Sequence, residues 1–255
     1  MKTSMKKTIR VVLLALAFPS ALWANEELHL DSADIDINNK ASLQRGAQTF
    51  VNNCLSCHSA KHLRYSRMAA DLEIPADQVK ANLMFASDKI GSGMEVAITA
   101  EKAAKWFGTL PPDLSVMARA KGDGNKGADW LYTYLRSFYR DDKRPFGVNN
   151  LVFKDVGMPN IFWKLQGAQE PVVEMVKHGE HEESVITGLK LVTPGTQTPE
   201  EFDKTVRDLV AFLVYMGEPA QFQRADMGPW VLAYLFFFLA IAIVLKKEYW
   251  RDIPH

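Results

Sequence analysis

The sequence predicts a mainly α-helical protein, with one long-looped domain followed by a single transmembrane helix near the C-terminus. Three observations carry that reading. Apolar residues recur at helical spacing over 41–53, 99–107, 128–139, 166–178 and 199–216. Residues 229–245 are uncharged and almost wholly apolar. Two cysteines three positions apart, followed at once by a histidine, sit just past the first helical stretch.

The first stretch places Leu43, Ala47, Phe50 and Val51 on one face. Strand signals are weak and short, and fall around 184–193. A length of 255 residues permits one or two domains, and no internal repeat or long low-complexity linker divides the chain. The 30 basic side chains balance 30 acidic ones to a formal net charge of zero. That balance gives no support to nucleic-acid binding, which requires a basic excess or patch.

The two ends agree on topology. Lys2, Lys6, Lys7 and Arg10 form a basic front, and residues 11–18 are an unbroken apolar run too short to span a bilayer. With Ala24 at the exit, residues 1–24 read as a secretory signal peptide, and cleavage there leaves the mature chain starting at Asn25. At the other end, 228–246 is long enough for a spanning helix at about 1.5 Å per residue. Trp230 and Tyr234 lie near one boundary, with Tyr249 and Trp250 past the other. Lys246, Lys247 and Arg251 put the short tail, 247–255, in the cytoplasm and the domain at 25–227 outside it.

The cysteine pair reads Cys54-Leu55-Ser56-Cys57-His58. This is the attachment pattern of a covalently held haem c. Two intervening residues let both thiols reach neighbouring vinyl groups of the porphyrin from one helical turn. The next residue then directs its imidazole at the iron. A redox dithiol needs no histidine at 58, and a zinc site needs a second ligand pair. The export signal fits, because such attachment occurs outside the cytoplasm. The expectation is therefore a c-type cytochrome with one haem, Cys54 and Cys57 as thioether sites and His58 as an iron ligand.

The second axial ligand decides between electron transfer and small-molecule chemistry. Methionines inside helices are usually core filler. Met158 differs because Gly157 and Pro159 bracket it in a loop-like run. Met94 and Met117 remain alternatives on spacing alone, whereas His62 is too near His58 to reach the opposite face.

Five stretches, in order, resemble the cytochrome c1 family, the haem subunit of the bacterial cytochrome bc1 complex (complex III). They are the haem motif with Leu63-Arg64-Tyr65, and Pro111-Pro112-Asp113-Leu114-Ser115 with Arg119-Ala120. Next come Gly127-Ala128-Asp129-Trp130-Leu131-Tyr132 with Tyr139, and Gly157-Met158-Pro159. The run from Val206 to Leu213 through Glu218-Pro219 then leads into the tail anchor. The resemblance implies that Met158 is the sixth ligand and that Arg119 lies beside a haem propionate. It implies too that Pro111 and Pro112 pack over the haem. Cytochrome b and the Rieske iron–sulfur protein are the implied membrane partners, in a dimeric complex, with a soluble cytochrome c as acceptor. The implied role is one-electron transfer within a quinol–cytochrome c oxidoreductase, not catalysis by this chain alone. A lone anchored cytochrome and an anchored haem peroxidase are the alternatives. One departure stands out: residues 149–156 are poorer in proline and aromatics than the family pattern leads one to expect.

Glu170, Glu174, Glu180, Glu182 and Glu183 form an acidic stretch that suits either a solvated surface or the docking of a basic cytochrome. His178 and His181 in that stretch take no iron or metal role. The glycine-rich run at 121–127 is a turn, without the strand context of a phosphate loop.

Overall fold

Two helices far apart in sequence meet at the centre of the domain. A computed structural model describes residues 29–122, 125–178 and 181–252, so the signal peptide expected at 1–24 lies outside the described residues. Helix α1 (Lys40–Asn53) starts where the Asn39 side chain accepts from the Ser42 amide. It is followed by β1 (Ala60–Arg64), α2 (Tyr65–Asp71), α3 (Ala76–Asn82), β2 (Gly93–Met94), α4 (Ala100–Phe107), α5 (Met117–Ala120) and α6 (Lys126–Arg136). Next come β3 (Phe138–Arg140), β4 (Val148–Asn150), α7 (Trp163–Gln166), β5 (Gly167–His178), β6 (His181–Pro194), α8 (Pro199–Gly217) and α9 (Gln221–Tyr249). The strands form three separate antiparallel pairs, β1–β2, β3–β4 and β5–β6.

Helix α8 is set by a capping box: Thr198 and Glu201 exchange side-chain bonds with each other's amides, and Pro199 opens the first turn. Its buried face carries Phe202, Val206, Leu209, Val210, Phe212, Leu213 and Met216. Against it α1 buries Leu43, Ala47, Phe50 and Val51, with the Phe50 and Phe212 rings 5.6 Å apart. Each such side chain contributes about 1.5–3 kcal/mol by leaving water.

The crossing is close because Gly46 lies in it. A Cβ there would sit 2.1 Å from the Asp208 carbonyl oxygen and 2.7 Å from Phe212 Cβ. Beside it, Arg45 grips the buried Asp208 carboxylate in a bidentate pair, Nε at 2.6 Å and Nη2 at 3.0 Å, and the Ser42 hydroxyl donates to the same carboxylate. Helix α6 joins α8 from another side, where Arg136 bonds Asp203 on α8 at 2.6 Å and Asp31 at 2.7 Å.

The helices expected at 41–53, 99–107 and 199–216 are present within a residue or so at either end. The helix expected over 166–178 is not: after Gln166 the chain runs as β5, paired along its length with β6. Pro171 lacks the amide that a helix interior needs, and Val172, Val173 and Val176 favour the pleated backbone. The weak strand expected at 184–193 is the return arm of this hairpin. Its register sets Glu170 opposite Lys190, so part of the acidic stretch is neutralised across the ribbon. The helix expected over 128–139 ends at Arg136, because Phe138 and Tyr139 pair with Asn150 and Asn149.

Helix α9 runs for 29 residues and contains the segment expected to span a membrane, with Pro229 inside it and no buried residue along it. Its start is tied to the domain, since the Tyr215 and Phe222 rings lie 6.1 Å apart and Arg67 Nη2 donates to Pro219 O at 3.2 Å. Substituting Gly46→Ala will force α1 and α8 apart. The expected loss is about 1–3 kcal/mol, read as a lower melting temperature of the haem-loaded protein; unchanged melting would contradict the close crossing.

Candidate haem site

The motif sits on the turn that continues α1. Cys54 and Leu55 amides donate to Phe50 O at 2.8 and 3.0 Å, and Cys57 and His58 amides donate to Cys54 O at 3.0 and 2.8 Å. Cys54 is buried, Cys57 is half-buried, and the two are not joined in a disulfide. Burial, reinforced by the charge of Cys57, pushes the Cys54 thiol up to about 12.

His58 is oriented by the segment that carries the proline pair. Its Nδ1 lies 2.8 Å from Pro112 O. A carbonyl can only accept, so Nδ1 carries the proton and the Nε2 lone pair is left for a metal. Burial holds the imidazole below its usual value, opposed by the Pro112 bond and the Asp113 charge. The neutral ligating form is thereby favoured at neutral pH.

Residues 111–115 are zipped to the chain just beyond His58. Leu114 N donates to Ser59 O at 2.8 Å, Lys61 N to Asp113 Oδ2 at 3.0 Å, and His62 N to Ser115 Oγ at 3.1 Å. Asp113 Oδ1 also accepts from Ser115 N at 2.9 Å. Burial pushes the Asp113 carboxyl up, but the bonds from the Ser115 hydroxyl and from the Lys61 and Ser115 amides outweigh it and hold the group below the usual carboxylate range.

Met158 lies on a bend, half-buried, and its Sδ accepts from the Tyr134 hydroxyl at 3.4 Å. Burial pushes that hydroxyl up to about 12, which keeps it a donor at neutral pH. Two buried asparagines shape the loop ahead of it. Asn150 Oδ1 accepts from Val152 N at 2.9 Å and Phe153 N at 3.1 Å, while Asn150 Nδ2 donates to Tyr134 O at 2.8 Å. Asn149 Oδ1 accepts from Asp155 N at 2.8 Å, and Arg144 Nη2 donates to Asp155 O at 2.7 Å. Asp155 takes a positive φ of 61°, which these bonds hold. Hydrogen bonds thus do here what the proline- and aromatic-poor sequence of 149–156 does not. Met94, by contrast, is fully buried in the core opposite Ala60, and Met117 begins α5.

The two candidate ligands stand on separate supports that are joined through α5 and α6. A Cβ on Gly127 would lie 1.7 Å from Ala118 O, so the helix after the proline segment touches the helix that carries Tyr134. Arg119, on α5, makes a 3.5 Å ion pair with Glu218 and is 62% exposed.

Three features suit a haem. Trp106, Leu110 and Val116 flank Pro111 and Pro112 with exposed apolar surface, and Phe153 and Trp163 do so on either side of Met158. Large unpaired apolar groups beside a few placed polar ones are the make-up of a cofactor site. The buried Tyr65 hydroxyl has no protein partner, which fits a group that brings its own acceptors. A cleft of about 250 Å³ along α1, lined by Arg45, Thr49, Asn53 and Asp208 among others, includes none of Cys54, Cys57, His58 and Met158, and the chemistry does not lie there.

The model of the cytochrome C1 family matches residues 34–253. The chain belongs to the cytochrome c1 family. Family members carry covalently bound haem c and serve as haem electron carriers of complex III. The chain is 46% identical over 249 residues to a cytochrome c1 of Allochromatium vinosum, covering 98% of this chain and 100% of that one. It is 26% identical to the cytochrome c1 of Blastochloris viridis, covering 94% and 93%. It is also 44% identical to a Nitrosomonas europaea protein named ammonia monooxygenase gamma subunit, covering 97% and 99%.

Sequence reasoning passed over Tyr134 and gave no role to the asparagines at 149 and 150, or to Asp113 and Tyr65 beyond their place in the quoted motifs. Trp130 and Tyr134, four apart on one helix, were the available signal for the first. The asparagines act through side-chain bonds that no spacing rule reveals. Replacing Asn150→Ala leaves the Val152 and Phe153 amides without their acceptor and removes one donor from the Tyr134 carbonyl, at a cost of about 1–3 kcal/mol. We expect a lower melting temperature than in the unmodified protein.

Proposed function

We propose that this chain takes single electrons from the Rieske iron–sulfur protein and passes them to a soluble cytochrome c, within a dimeric quinol–cytochrome c oxidoreductase that also contains cytochrome b. The observation that carries the reading is the 2.8 Å bond from His58 Nδ1 to Pro112 O, on a turned Cys-x-x-Cys-His segment. It leaves one imidazole nitrogen unused on the same turn that carries both thiols, in the sequence order of a haem c attachment motif.

In this reading Cys54 and Cys57 would hold haem c through thioethers, and His58 and Met158 would ligate its iron. Bound haem c supplies the one-electron chemistry. Pro112 orients His58, and Pro111 with its apolar neighbours excludes water from the porphyrin face. Arg119, mostly in solvent and only 3.5 Å-paired to Glu218, can turn its guanidinium to a haem propionate. The Tyr134 ring and the asparagine-braced loop hold Met158 at the other side. With both axial positions filled by the protein, no substrate needs to reach the iron, which favours a carrier over a peroxidase.

Helix α9 anchors the chain. Lys246, Lys247 and Arg251 favour a cytoplasmic C-terminus, which places the haem domain in the periplasm after removal of residues 1–24. To test the reading, the tagged chain is extracted gently from its own membranes. Haem spectra and quinol-to-cytochrome c activity are then recorded on what accompanies it. Co-purified b-type haem with inhibitor-sensitive quinol oxidation is the expected result. A stable preparation holding c-type haem alone and inactive with quinols would sink the complex. It would leave a lone anchored carrier, or a subunit of another oxidoreductase such as the name of the Nitrosomonas relative suggests. In the same host, Cys54→Ala with Cys57→Ala should abolish haem that survives denaturing electrophoresis.

A further inference from the structure

We propose that the Tyr134 hydroxyl positions and tunes the Met158 sulfur, setting how strongly that sulfur donates to the iron. The proposal rests on the reading of Met158 as an axial ligand.

The geometry is held from several directions. Tyr134 Oη lies 3.4 Å from Met158 Sδ. Its ring stacks on Trp130, with centroids 5.0 Å apart and planes 12° from parallel, and meets Phe138 edge-on at 5.3 Å. The backbone carbonyl of Tyr134 accepts from Asn150 Nδ2 at 2.8 Å. Asn150 in turn caps the amides of Val152 and Phe153 at the head of the methionine loop. Tyr134 therefore touches the loop at both ends, through its hydroxyl at the sulfur and through its carbonyl at the loop's root. The hydroxyl cannot swing away from the sulfur without breaking the stack on Trp130.

The chemistry follows from the thioether. Its sulfur has two lone pairs and accepts hydrogen bonds weakly. One lone pair serves the metal, and the other receives the phenol proton. A donor on the second lone pair draws electron density from the first. Ferric iron depends on that donation more than ferrous iron does, so the hydrogen bond favours the reduced form and raises the potential. A phenylalanine at 134 keeps the ring contacts and removes only this donor.

The test uses the full-length, haem-loaded protein in detergent, comparing the unmodified chain, Tyr134→Phe, and a chain with 3-fluorotyrosine, a stronger donor, at 134. Three quantities are read: the methionine-to-ferric-iron band, the midpoint potential, and the affinity of imidazole for the ferric form. Tyr134→Phe should keep the band, lower the potential, and weaken imidazole binding about three- to tenfold, the range of one neutral hydrogen bond. The fluorinated chain should shift both quantities the other way. An unmodified protein with the band, and a Tyr134→Phe protein with the same potential and imidazole affinity, would overturn the proposal and leave the ligand assignment standing. An unmodified protein without the band overturns the ligand assignment and this proposal with it. If Tyr134→Phe fails to load haem, the fluorinated chain decides, and an unmoved potential there overturns the proposal.

Discussion

The domain depends on one helix crossing that only a glycine allows. Gly46 lets α1 lie against the Asp208 carbonyl, and the Arg45–Asp208–Ser42 cluster fixes the register of that contact. A buried carboxylate is costly unless paired, and here it accepts from a guanidinium and a hydroxyl at once. Since the cysteine pair is wound directly onto the end of α1, whatever holds α1 on α8 also holds the haem motif. The long apolar helix α9 starts only a few residues past the end of α8. Motif, core and anchor thus refer to the same pair of helices.

From that frame the two candidate iron ligands are reached by different kinds of support. His58 is held at its ring by the Pro112 carbonyl, and the segment after it is joined to 111–115 by one main-chain bond, Leu114 N to Ser59 O, and by amides that donate to the Asp113 and Ser115 side chains. Met158 is held by side chains, namely Tyr134, Asn149 and Asn150. The Pro112 carbonyl that meets the imidazole belongs to the main chain, whereas the hydroxyl on Met158 Sδ can be removed by a single substitution at 134. The Ala118–Gly127 contact joins the two supports, so neither ligand's position is independent of the other.

Much of this is local and therefore readable from the chain. The haem motif and the long apolar run each write their structure into adjacent residues, and both emerged from spacing alone; the α8 capping box is just as local but came to light only in the structure. The misread segment at 166–178 is instructive. Its Glu, Met and Lys composition passes for a helix, yet Pro171 and three valines decide for a strand once 181–194 offers a partner. A two-stranded ribbon is a non-local object, and its evidence is split between two stretches. The bracing of Met158 is hidden for a related reason: Tyr134 and Met158 are 24 residues apart, and the Pro112 carbonyl that orients His58 carries no side-chain signature. The family resemblance located Met158, but the bonds that hold it had to be seen in three dimensions.

Helix α9 is longer than a bilayer requires. Its 29 residues measure about 44 Å at 1.5 Å per residue, against a hydrocarbon layer of about 30 Å. The surplus falls mainly in its first turns, 221–228, where Gln221, Gln223, Arg224 and Asp226 precede the apolar run. Glu218, one turn earlier, pairs with Arg224, and Arg67 Nη2 donates to Pro219 O at 3.2 Å, so the base of this stalk is tied to the domain. In a membrane-anchored chain the stalk acts as a rigid spacer of about 12 Å. The redox centre would then stand clear of the lipid headgroups at a fixed height, and a mobile partner could approach it from the side.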